Sequence, residues 1–171
     1  MYKYLVYFLI FSFLGWCTEV VFHLLKCGKF INRGLATGPI CPIYGVGICL
    51  ASLILGRVES FFLTAMFSMA ILTVIEFAVG YFSDKCLDRR LWDYSSERGN
   101  IQGYVCPRFS VIWGIVCAAI IRSLPRLDAP LLRLENPVAY SLSFVLLIIS
   151  ITDIKFSILD SRNAKSTQTT N

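Results

Sequence analysis

Apolar residues in this chain come in five long blocks, without the alternation typical of strands or the 3.6-residue period typical of surface helices. Each block approaches the roughly 20 residues that cross a hydrocarbon core of about 30 Å. Because lipid offers no hydrogen bonds, the backbone of a crossing segment must bond to itself, as in a helix. The pattern therefore predicts five membrane-spanning helices, at residues 4–25, 39–56, 61–82, 104–124 and 137–159. The second block is the shortest and is rich in glycine, so we expect it to be the least regular.

The composition agrees with this prediction. Hydrophobic residues make up 56% of the 171 positions and charged residues only 16%, whereas a soluble domain is nearer half apolar and about a quarter charged. We therefore expect an all-α integral membrane protein of the cell membrane, with a single helical bundle over residues 1–160. Residues 161–171 are polar and are expected to form a disordered cytoplasmic tail. The first block is longer than the apolar region of a signal peptide, and no small-residue cleavage site follows it.

Basic residues are unevenly divided between the two predicted sides of the membrane. Five lie on the side of the N-terminus, namely Lys3, Arg57, Arg122, Arg126 and Arg133. Ten lie on the other side, namely Lys26, Lys29, Arg33, Lys85, Arg89, Arg90, Arg98, Lys155, Arg162 and Lys165. The positive-inside rule predicts an external N-terminus and a cytoplasmic C-terminus. The net charge of +5 suits anionic lipid headgroups, because the basic residues flank helices and form no patch for nucleic acid.

Two similar phrases lie between the apolar blocks. Residues 33–46 read RGLATGPICPIYGV and residues 98–111 read RGNIQGYVCPRFSV, which gives six identities in 14 positions at an offset of 65 without gaps. We interpret them as parts of a duplicated helical hairpin, with copies at residues 4–56 and 61–124 and the fifth helix appended. The alternative is chance similarity. Both copies would enter from the same side, which places their pseudo-two-fold axis along the membrane normal.

Glycine and proline have separate roles in these phrases. Glycine permits a positive φ or a close approach of the backbone, and proline is well tolerated at the start of a helix. The residues concerned are Gly34, Gly38, Pro39, Pro42, Gly99, Gly103 and Pro107. Pro42 and Pro107 therefore predict where the returning helices begin. Free amides at those ends, beside Arg33 and Arg98, would suit an anion; the alternative is a tight interfacial turn with snorkelling arginines.

Three charged residues are expected at one depth below the cytoplasmic surface. Glu19 and Glu76 come about six residues before the ends of the first and third blocks, and Arg108 about four residues into the fourth. Because a lone charge in the membrane costs several kcal/mol, we predict a Glu19–Arg108–Glu76 cluster inside the bundle. The alternative is that Arg108 snorkels while protonated carboxyl groups only join helices.

The residues around these acids fall on two helix faces. Ser12, Gly15 and Glu19 share one stripe with His23 one turn further on, and Thr73, Glu76 and Gly80 share another; small residues there allow close packing. We interpret His23 as an interfacial residue rather than a proton relay.

A polar and aromatic segment completes the candidate site. It comprises Trp92, Asp93, Tyr94 and Asn100, on the same predicted side as Asn32 and Arg33, with Tyr44 at the equivalent position to Phe109. Asp93 is awkward in an aromatic belt, and we expect it to cap a turn or to pair with Arg33 or Arg98. A structural lid and a substrate-contacting loop are both consistent with this segment.

The sequence offers little for covalent or metal chemistry. Seven scattered cysteines and one histidine form no zinc-ligand spacing, so we expect no metal, no cofactor and no structural disulfides. The chain has no G-x-x-x-x-G-K-[ST] phosphate loop, no G-x-S-x-G motif and no evident cysteine–histidine pair. An enzyme is therefore not the favoured interpretation.

At several of these motifs the chain resembles the ABC-transporter type IV (CmpB-like) permease family, small multi-pass bacterial membrane proteins. The resemblance covers most of residues 4–124, and the fifth helix shows no distinctive match. It is carried by FLGWCTEVVF at 13–22, GKFINRGLATGPICPIYGVG at 28–47, the Glu76 helix, WDYS at 92–95 and GYVCPRFSVIWG at 103–114. The resemblance implies a membrane permease but supplies no substrate and no catalytic residue.

Three functions follow from this pattern. The first is a transport component with a polar site near the cytoplasmic face. This site would bind a small solute or a coupling ion, and the solute would be anionic if the arginines contribute to the site. Its partners would be the bilayer, a separate ATPase or other membrane subunit, and further copies of the chain, because five helices are few for a translocation path. The second is an intramembrane enzyme acting on a lipid-linked substrate. The third is a scaffold or regulatory subunit whose charges only specify packing.

Overall fold

The computed structural model describes residues 2–28, 38–133 and 137–168. In these ranges the chain forms five helices: α1 (Tyr2–Cys27), α2 (Pro42–Leu55), α3 (Phe61–Leu87), α4 (Pro107–Arg133) and α5 (Pro137–Gln168). The only β pairing in the described residues is an isolated bridge between Ile101 and Val105. The predicted all-α membrane fold is therefore confirmed.

Four of the five helices are long and apolar enough to cross a membrane. The exception is α2, whose 14 residues extend only about 21 Å at 1.5 Å per residue. The sequence block at 39–56 is longer than the helix, because its first residues form the turn before Pro42. Although its glycines led us to expect irregularity, α2 is an uninterrupted α-helix.

The α3 helix buries mostly small and polar residues and exposes large apolar ones. The buried face of α3 consists of small and polar residues and one leucine: Thr64, Ser68, Glu76, Gly80, Ser83 and Leu87. Its large apolar side chains point outward, and Phe62 and Val74 are 73% and 69% exposed. In lipid, large apolar side chains gain nothing by leaving the surface, whereas small residues allow helices to approach closely. This arrangement is therefore the one expected of a membrane bundle.

Helices pack mainly as the two predicted hairpins, α1 against α2 and α3 against α4. The α2 helix also packs against α3, and α5 lies chiefly against α1. The apolar core joins α1, α2 and α4 through Tyr7, Phe11, Ile48, Ala51, Leu55, Cys117, Ile121 and Leu124. Gly45 allows α2 to contact Ser12 and Phe8, since a Cβ at this glycine would overlap both residues.

The starts of α2 and α4 agree with the proline prediction, whereas α4 and α5 end later than their apolar blocks predicted. Pro42 and Pro107 are the first residues of α2 and α4, as expected for a residue that lacks an N–H. The α4 helix continues to Arg133 through two internal prolines, past the predicted end of its block at residue 124. The α5 helix continues to Gln168, into the stretch 161–171 that we had expected to be a tail.

The extension of α4 creates a polar contact at the end of the bundle opposite to Glu19. Asp128 accepts a hydrogen bond from the buried Tyr7 hydroxyl, and its other oxygen lies 3.4 Å from Lys3 Nζ. The beginning of α1 and the last turns of α4 therefore lie at the same end of the bundle.

Candidate functional site

The first half of the site is a tyrosine–glutamate pair between α1 and α2. The Tyr44 hydroxyl donates a hydrogen bond of 2.7 Å to Glu19 Oε1. The Tyr44 ring lies directly on Gly15, where a Cβ would overlap the base of the ring. Its edge meets Trp113 of α4, with ring centroids 5.7 Å apart. Gly15 is therefore the residue that lets α2 bring a tyrosine to the carboxylate.

The second half is a similar pair between α3 and the loop that follows it. The Tyr94 hydroxyl donates a hydrogen bond of 3.0 Å to Glu76 Oε1. Tyr94 stacks on Phe109 of α4 at a centroid distance of 4.9 Å. Glu76 is buried, at 9% exposure, so this hydroxyl is an important partner for a carboxylate with little access to water.

The two carboxylates act on the same hydroxyl. Burial raises the pKa of the Tyr94 hydroxyl, the neighbouring Glu76 raises this pKa further, and Glu19 adds to the effect. Glu19 and Glu76 therefore lie within electrostatic range of one group, at the same end of the bundle. Both acids therefore lie near the Tyr94 hydroxyl, whereas their grouping into one working site stays a prediction.

Arg108 does not lie in this site. The predicted Glu19–Arg108–Glu76 cluster is therefore wrong, because the arginine is not part of it. The α4 helix begins at Pro107, so Arg108 lies in the first helical turn and not four residues inside the membrane. Its side chain is 70% exposed, and its Nη1 lies 3.5 Å from Glu97 Oε2. Among the ion pairs of the described residues, none links Arg108 to Glu19 or Glu76.

His23 is buried instead of lying at the interface. It is 4% exposed, and its Nδ1 donates to the Glu19 carbonyl oxygen at 2.9 Å. The same nitrogen lies 4.0 Å from Glu19 Oε2. The His23 ring therefore lies beside both the backbone carbonyl and the carboxylate of Glu19.

The segment after α3 is folded by its own hydrogen bonds. The Trp92 indole N–H donates to the Tyr104 carbonyl at 2.7 Å, and the Tyr94 N–H donates to the Gly103 carbonyl at 2.8 Å. The Asn100 side chain donates to the Glu97 carbonyl at 2.8 Å and accepts from the Gly103 N–H at 2.9 Å. Trp92 and Asn100 thus hold the loop together, while Tyr94 reaches the site.

Asp93 caps a turn within this loop. Its Oδ1 accepts from the Ser95 N–H at 2.9 Å and lies 3.1 Å from Arg90 Nη2. Hydrogen bonds from the Ser95 hydroxyl and N–H, together with the Arg90 charge, lower the pKa of Asp93. The cap agrees with the prediction, but the basic partner is Arg90 and not Arg98, because the loop turns back on the residues just after α3.

The remaining predicted residues have mixed outcomes. Arg98 is exposed, and Asn32, Arg33 and Gly34 lie outside the described residues. Gly99 and Gly103 have φ values of +71° and +73°, as the turn interpretation expects. Gly38 does not have a positive φ, and Pro39 lies in the turn that leads into α2.

Comparison with known families gives one match. The family model described as "Putative ABC-transporter type IV" matches residues 6–158. The chain belongs to this family. The match continues through most of α5, so the resemblance we found within residues 4–124 was too short. No curated protein and no solved structure is similar enough to match. Membership of the ABC-transporter type IV family, together with four helices able to span a bilayer, indicates a membrane component of a transporter.

Asp153 is a further residue of this family member that the sequence analysis missed. It lies on α5, and its Oδ2 accepts a hydrogen bond of 2.7 Å from the Gly38 N–H. The signal was present, because Asp153 is an acid inside the fifth apolar block, the same criterion that selected Glu19 and Glu76. We had treated that block as an appended helix and did not apply the criterion there.

The candidate site of this transporter-family chain is acidic. It contains two carboxylates, each with one tyrosine donor, and Glu19 keeps 30% of its side chain exposed. Within residues 2–28, 38–133 and 137–168, no three acidic, histidine or cysteine side chains are grouped to hold a metal ion. The site therefore offers acid–base groups at the end of the bundle and no prepared metal centre.

Proposed function

We propose that this protein is the membrane component of a transport system, and that its Glu19–Glu76 site binds a coupling proton or small cation near the cytoplasmic face. The observation that carries the proposal is that two carboxylates on different helices, Glu19 and Glu76, each accept a hydrogen bond from a tyrosine hydroxyl. Intramembrane carboxylates usually mark ion paths or proton relays.

A positively charged ligand is favoured over the anionic solute considered from the sequence. The anion hypothesis needed arginines in the site, but Arg108 pairs with Glu97 at the surface and Arg98 is exposed. Among the described residues, the charged groups that remain in the candidate site are the carboxylates of Glu19 and Glu76. Their mutual repulsion would be relieved by a bound cation or proton.

The same proposal covers orientation and partners. We propose an external N-terminus and a cytoplasmic C-terminus, which puts the site at the cytoplasmic side in agreement with the positive-inside rule. The family name supports association with other transporter subunits, and an ATPase would be contributed by a separate polypeptide. Association of several copies would widen the small bundle into a translocation path.

The proposal can be tested by following the protonation of both acids in the full chain in proteoliposomes. A hydrophobic carbodiimide reacts with protonated carboxyl groups, and peptide mass spectrometry separates modification at Glu19 from modification at Glu76. We expect modification of each acid to fall with rising pH and with added Na⁺ or K⁺. We also expect Glu19→Gln to change the pH at which Glu76 is modified, because the Glu19 charge acts on Glu76 and interacting sites titrate together.

The matched control is Arg108→Gln, which should leave both profiles unchanged. The scaffold interpretation predicts a different result: modification insensitive to cations, independent titration of the two acids, and loss of thermal stability in Glu19→Gln and Glu76→Gln. That result would contradict the proposed function.

A further inference from the structure

The two repeated phrases contain an equivalent glycine whose N–H has a side-chain acceptor in each copy. Gly38 and Gly103 are separated by the repeat offset (103 − 38 = 65). The Gly103 N–H donates to Asn100 Oδ1 at 2.9 Å, and the Gly38 N–H donates to Asp153 Oδ2 at 2.7 Å. The equivalent N–H groups therefore donate to acceptors at non-equivalent positions of the chain, Asn100 for Gly103 and Asp153 for Gly38.

In the second copy the acceptor is local. Asn100 lies three residues before Gly103, and its amide group also donates to the Glu97 and Ser95 carbonyls at 2.8 Å and 3.2 Å. The nitrogen and the oxygen of the Asn100 side chain therefore both form hydrogen bonds within one short loop.

In the first copy the residue equivalent to Asn100 cannot accept a hydrogen bond through its side chain. The position of Asn100 is taken by Leu35 (100 − 65 = 35), whose side chain has no hydrogen-bonding atom. The acceptor comes instead from α5, 115 residues further along the chain. A Cβ at Gly38 would lie 3.1 Å from Asp153 Oδ2, so the absence of a side chain lets the carboxylate reach the backbone.

The position of α5 is maintained by additional contacts. It packs chiefly on α1, and one turn beyond Asp153 the Ser157 hydroxyl accepts a hydrogen bond of 3.4 Å from Arg89 Nη1. Arg89 directly follows the C-cap of α3. The Asp153 carboxylate is thus presented by a helix that contacts both α1 and the end of α3.

The turn that Asp153 holds leads directly to the site. Three residues after Gly38, the Cys41 N–H donates to the Ser12 carbonyl at 2.9 Å, and the Cys41 carbonyl accepts from the Tyr44 N–H at 3.2 Å. Tyr44 is the residue that donates to Glu19. A short series of hydrogen bonds and backbone residues therefore connects Asp153 of α5 to the Tyr44–Glu19 pair.

We propose that Asp153 is a positioning residue that supplies, from α5, the acceptor absent from the first copy of the repeat. It sets the turn before α2 and thereby places Tyr44 on Glu19. This inference depends on the geometry of the turn and is independent of the ion that the site binds.

The test uses two cysteines as matched reporters. Cys41 and Cys106 are equivalent in the repeat, and both are buried, at 9% and 1% exposure. Full-length protein in membrane vesicles is treated with a membrane-permeant maleimide, and labelling of each cysteine is measured by peptide mass spectrometry. We expect Asp153→Leu to increase the labelling rate of Cys41 about tenfold, because loss of a hydrogen bond to a charged group promotes local opening. Cys106 should keep its wild-type rate.

Two further variants make the test symmetrical. Asp153→Asn keeps an acceptor oxygen and should leave Cys41 protected. Asn100→Leu should give the mirror result, with faster labelling of Cys106 and an unchanged rate at Cys41.

Three results would overturn the proposal: an unchanged Cys41 rate in Asp153→Leu, equal effects of Asp153→Asn and Asp153→Leu, or faster labelling of both cysteines in Asp153→Leu. The last would show that the acid holds the whole bundle. The carbodiimide experiment addresses ion binding separately, so failure of one proposal does not imply failure of the other.

Discussion

The turn before α2 and the turn before α4 share six of fourteen residues, yet they are held by different parts of the molecule. The second is closed by residues within the loop, including the Ile101 N–H bond of 2.9 Å to the Val105 carbonyl. The first depends on Asp153 of α5 and on the Ser12 carbonyl of α1. Similar sequence therefore gives one turn whose described contacts are local and one whose described contacts also come from α1 and α5.

This difference matters for the site because each turn delivers one tyrosine. Tyr94 comes from the self-contained loop and meets the buried Glu76, whereas Tyr44 comes from α2 and meets the more accessible Glu19. We expect the second pair to be the more rigid and the first pair to respond more readily to movements of α5. Four predictions examine this comparison, in order of decreasing expected effect.

The largest effect is expected for Gly103→Ala. Gly103 has φ +73°, and a Cβ there would overlap Arg90, Ser95 and Asp93, so we expect a loss of about 2–3 kcal/mol in the free energy of unfolding. The matched variant Gly38→Ala should cost less than about 1 kcal/mol, since its φ is not positive and, among the described residues, the Asp153 carboxylate is the one group that must shift. Denaturant titration in detergent micelles measures both. Equal losses would remove the distinction between the two turns.

A smaller effect is expected for the tyrosine hydroxyls. Tyr94→Phe removes the hydroxyl that donates to the buried Glu76, and we expect a loss of about 1.5–2 kcal/mol, at the lower end of the range for a hydrogen bond to a charged group. Tyr44→Phe should cost about 0.5–1.5 kcal/mol, because water can reach Glu19.

The control for the tyrosine variants is Tyr81→Phe, on the exposed side of α3, which should be neutral in the same denaturant titration. A double-mutant cycle between Tyr94→Phe and Glu76→Gln isolates the pair. Additive losses would show that the two side chains do not interact.

Arg108 marks a difference between the two similar phrases that should have little effect on stability. The aligned residue in the first phrase is Ile43 (108 − 65 = 43), and the Arg108 side chain, which pairs with Glu97, is 70% exposed. We expect Arg108→Gln to cost less than about 1 kcal/mol, with the loss diminishing at high salt. Unfolding titrations at low and high salt check this. A large, salt-independent loss would instead support an arginine inside the bundle.

The smallest effect concerns the pH dependence of the second turn. The folded pKa of Asp93 is lowered, first by the Ser95 hydroxyl, so its contribution to stability is complete above the ordinary pKa of about 3.9 and is lost as pH falls through the lower folded value. Asp93→Asn should therefore reduce the loss of thermal stability on acidification in that range. The same acid sensitivity in Asp93→Asn and wild type would exclude this role.

Several features of the site could be predicted from single residues. Glu19 and Glu76 were found because an acid inside an apolar block is costly and needs a partner, and Pro42 and Pro107 marked the helix starts. Arg108 was misplaced because the apolar block at 104–124 begins inside a folded loop, and hydropathy does not distinguish a buried loop residue from a helical one. Asp153 is also an acid inside an apolar block, but it was not selected because the fifth block was interpreted as an appended helix without a role in the site.

The sequence alone determined the membrane class, the five helices and the acidic residues within them, because hydropathy, proline and intramembrane charge act locally along the chain. Only the tertiary structure decided which tyrosine meets which glutamate, that Arg108 faces Glu97, and that α5 completes the first turn. These contacts join residues as far as 115 positions apart. They depend on small residues such as Gly15 and Gly38, whose effect is the space they leave for a neighbour, and that space exists only after the helices have packed.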